Sequence, residues 1–168
     1  MMPVVSLLYV STSRKPTQKT RILAKWLARL FGGEHENRGK RSVSDIASRM
    51  HEKGFKRAIF VYEKHGNPYS LNFLDVEDGW LFPEVLISGF EVFKGEKKRI
   101  GAVTSAQAKD SKGEKILQML GFKPREGEGL AMVLSSTEIS FMDGRESKIF
   151  SIKIKGFSEG GGAVEGGA

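Results

Sequence analysis

One ten-residue segment has the side chains that point most clearly to binding chemistry. Residues 12–21 read Thr-Ser-Arg-Lys-Pro-Thr-Gln-Lys-Thr-Arg and lie between an apolar run, residues 4–10, and an amphipathic stretch. The start of a helix has free backbone N–H groups and a positive partial charge, and it therefore favours anions. Arg14, Lys15 and Lys19 are unfavourable there unless an anion binds. We therefore predict that these side chains contact phosphate groups.

The basic residues are concentrated in the first third of the chain. The 168-residue sequence has a net charge of +7. Residues 14–57 contain 13 Lys and Arg against 4 Asp and Glu, whereas the rest of the chain contains 14 against 16. An excess confined to one region is typical of a surface that binds a polyanion such as a nucleic acid. For the helical stripe of Arg21, Lys25 and Arg29, a solvated helix face and contact with RNA remain equally open.

The elements that position this segment follow a strand–helix pattern. We predict a strand at residues 4–10 and a helix at residues 18–31, with Thr17 as N-cap and Gly32-Gly33 as its end. A second helix follows Ser42, which forms a predicted capping box with Asp45. Two strands then flank a turn at residues 65–68, and residues 80–92 are predicted to be extended.

The same pattern starts again near residue 99 without a counterpart of the second helix. Residues 100–103 predict a strand, Ser111 with Glu114 predicts a further capping box, and residues 130–155 predict three more strands. Together the two cycles predict an α/β fold of tandem halves, at about residues 1–95 and 96–157. The Gly-rich residues 158–168 are predicted to be a disordered tail.

Other classes of chemistry find little support in the residues. The chain has no cysteine, and its three histidines do not have metal-ligand spacing. No motif brings together an acid, a base and a nucleophile, so we predict no catalytic residue, metal site or cofactor. No apolar window is long enough to span a membrane, and the N-terminus does not resemble a signal peptide.

Three segments resemble the Brix domain family of ribosome-biogenesis proteins, in the order expected for that family. They are Thr-Ser-Arg-Lys-Pro-Thr at residues 12–17, Asn-Arg-Gly at residues 37–39, and Phe-Val-Tyr-Glu-Lys-His-Gly-Asn-Pro at residues 60–68. The sequence departs from the family at residues 78–81, where Asp-Gly-Trp-Leu replaces a frequent Gly-Pro-Thr step. We expect a single-domain form like those of archaea, similar to the branch that works in small-subunit ribosomal RNA processing.

The resemblance implies a fold, a function and a set of contact residues. Each half is expected to resemble the anticodon-binding domain of class II aminoacyl-tRNA synthetases, with mixed strands and packed helices. The expected function is non-catalytic binding of ribosomal RNA or its precursor in the cytoplasm, with other ribosome-assembly proteins as candidate partners and no membrane association. The predicted RNA-binding residues are Thr12, Ser13, Arg14, Lys15, Lys19, Arg21, Lys25, Arg38, Lys40 and Arg41.

Two alternative functions remain open from the sequence. A protein-interaction module would dock through the apolar run at residues 80–93, and a tRNA-binding module is suggested by the fold analogy alone. The oligomeric state is not predicted.

Overall fold

The computed structural model describes residues 8–93, 101–145 and 147–159. Its strands are β1 (Leu8–Thr12), β2 (Glu34–His35), β3 (Arg57–Lys64), β4 (Asn67–Asp75), β5 (Gly79–Val92), β6 (Val103–Ala108), β7 (Leu130–Leu134), β8 (Glu138–Met142) and β9 (Lys148–Ser158). Its helices are α1 (Gln18–Phe31), α2 (Val43–Glu52) and α3 (Ser111–Leu120). Residues 4–7 and 100 of the predicted strands and residues 160–168 of the predicted tail lie outside the described residues. The first two tail residues, 158 and 159, are described, and Ser158 ends β9.

All nine described strands form one mixed sheet, in the order β2-β1-β3-β4-β5-β9-β8-β7-β6. In the first half β1 is parallel to β3, and β3, β4 and β5 follow as antiparallel neighbours. In the second half β6, β7, β8 and β9 repeat these directions. The predicted α/β fold of mixed strands and packed helices is confirmed, and α2 has no counterpart in the described second half. The likeness to anticodon-binding domains stays a prediction.

The antiparallel pair β5–β9 joins the two halves into one sheet. β5 therefore has a paired neighbour on each side, and its Val85 and Ile87 are buried in the core. The apolar run that suggested a docking surface is the central seam of the sheet, and its Trp80, Leu81 and Phe90 are partly buried against the core. Of its large side chains, Phe82 and Val92 are exposed.

Helix α1 has the predicted bounds because its signals are local. The side chain of Thr17 accepts a hydrogen bond from the N–H of Thr20, and Gly32 ends the helix in the left-handed conformation. The apolar face packs on the sheet, where Trp26 stacks on Phe150 with ring centroids 4.9 Å apart. Trp26 is therefore a core residue, and α1 contributes to the core of both halves.

Helices α1 and α2 lie on opposite faces of the sheet. Ile59 and Val61 of β3 belong to the core that α1 and α3 share, whereas the alternate residues Ala58 and Phe60 pack with α2. The predicted capping box at the start of α2 is present.

The start of α3 differs from the prediction. Asp110, one residue before Ser111, is the N-cap, and its carboxylate accepts a hydrogen bond from the N–H of Gly113. The carboxylate of Asp110 also accepts from the N–H of Ser136, so a tertiary contact selects it over the Ser111 hydroxyl.

Two contacts position α3. A Cβ added at Gly113 would lie 2.3 Å from the carbonyl oxygen of Leu134, so the helix approaches β7 as closely as a glycine allows. At the other end, Arg57 of β3 donates to the carbonyl oxygen of Met119 at 2.6 Å and pairs with Asp75 at 2.6 Å. Arg57 therefore links the first half to the C-terminal turn of the helix in the second half.

Candidate nucleic-acid interface

The loop between β1 and α1 presents two cations on an ordered backbone. The N–H of Ser13 donates to the carbonyl oxygen of Val61 at 3.1 Å, which extends the pairing of β1 with β3 into the loop. Arg14 and Lys15 follow directly and are exposed. Within the described ranges neither forms an ion pair with a carboxylate. Their charges are therefore available to an external anion.

The chain's own Glu63 accepts hydrogen bonds from Thr17, the N-cap of α1. One oxygen of this carboxylate accepts hydrogen bonds from the backbone N–H of Thr17 at 2.5 Å and from its hydroxyl at 2.8 Å. Burial opposes ionisation of Glu63, but hydrogen bonds from Thr20 and Thr17 and the nearby charge of Arg21 outweigh it and lower its pKa. Glu63 therefore takes one backbone N–H group at the start of α1, and the phosphate contact expected there stays a prediction.

The ten predicted contact residues fall into three groups in the structure. Five have exposed side chains and no ion pair with a described carboxylate: Arg14, Lys15, Lys19, Lys25 and Lys40. Three are less available to an external ligand: Ser13 and Arg21 are half-buried, and Arg41 is exposed but forms an ion pair with Glu36 at 3.3 Å. Two are fully buried, Thr12 and Arg38, and their prediction as surface contacts is wrong.

Arg38 supports the loop from inside the protein. Its side chain is 0% exposed, and its Nε donates to the carbonyl oxygen of Arg41 at 2.9 Å. Nη1 lies 3.4 Å from the hydroxyl of Tyr62. The backbone N–H of Arg38 reaches the hydroxyl of Thr12 at 3.5 Å, and that hydroxyl donates to the carbonyl oxygen of Ser13. Nothing in the sequence marks this arginine as buried, because arginine is usually exposed.

Glu36 forms a cluster of polar contacts near Arg38. Its carboxylate pairs with Arg49 at 2.8 Å and with Arg41, and it accepts a hydrogen bond from the hydroxyl of Tyr9. Tyr9 is 1% exposed, so its ring is not available to stack on a base. Burial, followed by the contact with Glu36, raises the pKa of Tyr9 to about 12.

A second basic group was not predicted. The ammonium groups of Lys64 and Lys155 lie 4.8 Å and 4.3 Å from the centroid of the Tyr69 ring. Lys64 precedes the β3–β4 turn, whereas Lys155 comes from β9. The sequence contains no signal for this group, because only the order β4-β5-β9 brings the two lysines together.

Other classes of site find no support in the part of the chain that the structure describes. No three His, Asp or Glu side chains there come together as possible metal ligands. None of the described helices has the length and apolar character needed to cross a membrane.

Comparisons with known proteins assign the chain to a family. No family model matches the chain. Over 168 aligned residues, however, it is 30% identical to a probable Brix domain-containing ribosomal biogenesis protein of Methanosarcina mazei, which covers 89% of this chain and 98% of that protein. The chain belongs to the Brix domain-containing ribosomal biogenesis proteins. This confirms the resemblance found in residues 12–17, 37–39 and 60–68.

Further relatives and solved structures agree with this placement. A Brix domain-containing protein of Archaeoglobus fulgidus is 31% identical over 125 residues, covering 69% of this chain and 78% of that protein. The crystal structure of Mil, an archaeal Imp4-like protein, matches with a TM-score of 0.70 and 25% identity over 90% of this chain and 99% of Mil. A probable ribosomal biogenesis protein from Aeropyrum pernix K1 shares the fold, with a TM-score of 0.71 and 21% identity over 92% of this chain and 97% of that protein.

Proposed function

We propose that this Brix domain protein is a non-catalytic, cytoplasmic ribosome-assembly factor that binds ribosomal RNA or its precursor during processing. The family supports the role in ribosome assembly. The observation that carries RNA binding is the loop at residues 13–16. Its exposed guanidinium and ammonium groups lie on a backbone that is fixed to β3, and they meet no carboxylate partner among the described residues.

Exposed lysines extend this surface and favour a polymer over a small anion. Lys19 lies in the first turn of α1, Lys25 lies six residues further along the helix, and Lys40 lies in the loop before α2. Several separate cations can each neutralise one phosphate of the same strand. Their contributions to the binding free energy are expected to add up, and the affinity is expected to be independent of base sequence. Other assembly proteins would then supply the choice of site on the ribosomal RNA.

Filter binding to fragments of small-subunit ribosomal RNA tests the proposal. We compare the wild-type protein with the variant Arg14→Ala/Lys15→Ala over a range of salt concentrations. The control is Lys56→Ala/Lys123→Ala, which removes the same charge from two exposed residues without ion pairs in the described chain. Lys56 lies beside Arg57, at the opposite end of β3 from the loop.

The expected result is steep salt dependence for the wild-type protein and the control. The Arg14→Ala/Lys15→Ala variant should bind more weakly, with a slope that is smaller by about 0.7 to 0.9 for each lost phosphate contact. Equal binding by the two variants, or a flat salt response of the wild-type protein, would overturn the proposal. Competition with tRNA tests the alternative: a higher affinity for tRNA than for ribosomal RNA would favour a tRNA-binding module.

A further inference from the structure

A second cationic path leads from the β1–α1 loop to the other half of the molecule. We propose, on the basis of the proposed function, that Lys64, Tyr69 and Lys155, here named the Tyr69 cluster, and Lys112 bind the RNA backbone. In this arrangement a strand of RNA that is bound by the loop of the first half continues over the β4–β5–β9 junction towards α3. Both halves of the Brix domain then contact the same RNA.

The geometry of the Tyr69 cluster is the first observation. The ammonium groups of Lys64 and Lys155 both lie within 5 Å of the centroid of one ring. They are therefore no further apart than the sum of those two distances, and like charges at such a separation repel. Within residues 8–93, 101–145 and 147–159, no carboxylate forms an ion pair with either lysine. The face of the Tyr69 ring attracts both ammonium groups, and a phosphate bound beside the lysines would offset their repulsion.

Tyr69 acts in this cluster as a positioning residue. Its half-buried ring is in contact with both ammonium groups. The negative face of the ring attracts these positive charges. A base cannot stack on the part of the ring that the lysines cover. We therefore assign Tyr69 the role of placing the two lysines.

The cluster is continuous with the loop of the first half. The hydroxyl of Thr17, the N-cap of α1, lies 2.9 Å from the carbonyl oxygen of Gly66 in the β3–β4 turn. Lys64 comes just before this turn, and Arg14 and Lys15 come just before Thr17. The turn and the loop are therefore in direct contact, and a strand of RNA passes from one to the other without leaving the protein surface.

The path continues to the second half through Phe157. This residue lies two positions after Lys155 on β9 and pairs with Val85 of β5. The ammonium group of Lys112, in the first turn of α3, lies 4.8 Å from the centroid of the Phe157 ring. Lys112 is exposed and, like the cluster lysines, has no ion pair with a described carboxylate. Cations of β3, β9 and α3 thus follow each other across the seam between the halves.

Uridine oligonucleotides of increasing length test the proposal, because the path requires an RNA long enough to reach both halves. We compare Lys64→Gln/Lys155→Gln with the control Lys56→Gln/Lys123→Gln and with Arg14→Ala/Lys15→Ala. Lys56 is matched to Lys64, since both are exposed and they lie about 26 Å apart at the two ends of β3. Thermal denaturation of each variant shows that it is folded.

We expect the Lys64→Gln/Lys155→Gln variant to bind long oligonucleotides more weakly, with a salt slope that is smaller by about 0.7 for each lysine on a single strand. Short oligonucleotides should bind to it as well as to the control. Tyr69→Phe should keep the wild-type affinity for long RNA, and Tyr69→Leu should lose part of it, because only the phenylalanine ring attracts the ammonium groups.

The outcomes separate this inference from the proposed function. If Arg14→Ala/Lys15→Ala loses affinity while Lys64→Gln/Lys155→Gln binds like the control at every length, the second path is wrong and the proposed function stands. If the wild-type protein binds no oligonucleotide and no ribosomal RNA, both are wrong.

Discussion

Glu63 at the end of β3 caps the first turn of α1 through Thr17. One carboxylate oxygen lies 2.5 Å from the backbone nitrogen of Thr17 and 2.8 Å from its hydroxyl. The same strand fixes the preceding loop through the bond from Ser13 to Val61. β3 therefore orders both ends of the basic loop, and it also places a negative charge beside the cations that we propose to bind RNA.

Replacing Glu63 by Gln should lower the stability of the protein and raise its affinity for RNA. The variant loses a charged hydrogen-bond acceptor at the positive end of a helix, so the free energy of unfolding should fall by about 1 kcal/mol. RNA affinity should rise, because a negative charge near the loop is removed. Urea denaturation and filter binding measure the two effects, and weaker RNA binding by a folded Glu63→Gln protein would contradict the second one.

The lowered pKa of Glu63 adds a pH dependence to this prediction. A carboxylate with a lowered pKa in the folded state stabilises the protein above its ordinary pKa, and this contribution is lost as the pH falls through the folded value. The difference in unfolding free energy between wild type and Glu63→Gln should therefore shrink in acid. A constant difference between neutral and acidic pH would exclude this linkage.

Tyr9 should make the protein sensitive to alkali. Its pKa is raised from 10.0 to about 12 by burial and by Glu36, so its contribution to stability is complete below pH 10 and is lost as the pH rises towards 12. Tyr9→Phe should cost about 1 kcal/mol at neutral pH, because the hydrogen bond to Glu36 is lost. Denaturation at a series of pH values should show a smaller alkaline loss in the variant, and equal losses would refute the assignment.

Arg38 and Lys40 allow a buried and an exposed cation of one loop to be compared. Arg38→Ala leaves the groups around a fully buried side chain unpaired and opens a cavity, so it should destabilise the protein by about 3 kcal/mol. In the folded variant the salt slope of RNA binding should stay unchanged. Lys40→Ala should leave stability unchanged and reduce the salt slope by about 0.7 to 0.9. A reduced salt slope in the folded Arg38→Ala variant would show instead that Arg38 contacts RNA directly.

Gly113 should tolerate no side chain. A methyl group there would overlap the carbonyl oxygen of Leu134, because its Cβ would lie 2.3 Å away, and α3 would have to move from the sheet. We expect Gly113→Ala to lower the free energy of unfolding by about 3 kcal/mol. Gly144→Ala is the control, since a Cβ at Gly144 has no heavy atom within 4 Å among the surrounding described residues. Similar melting temperatures for the two variants would contradict this close contact.

The sequence by itself determined α1, the start of α2 and the family. The apolar spacing and the N-cap of Thr17 predict α1 with its observed bounds, and the capping box at Ser42 predicts the start of α2. These signals involve residues a few positions apart, so they can be identified without knowing any tertiary contact. The basic loop and its three family segments are equally readable, because they are continuous stretches of chain.

Tertiary structure alone decided which of the polar side chains are exposed and free to contact a ligand. Glu63 reaches the start of α1 because β3 pairs with β1, and Arg38 is buried because the loop before α2 folds against Tyr62. Lys155 meets Tyr69 because β5 and β9 join the halves into one sheet. The charge of a side chain is a property of the sequence, but its burial and partners depend on strand pairings between distant residues, which no local pattern encodes.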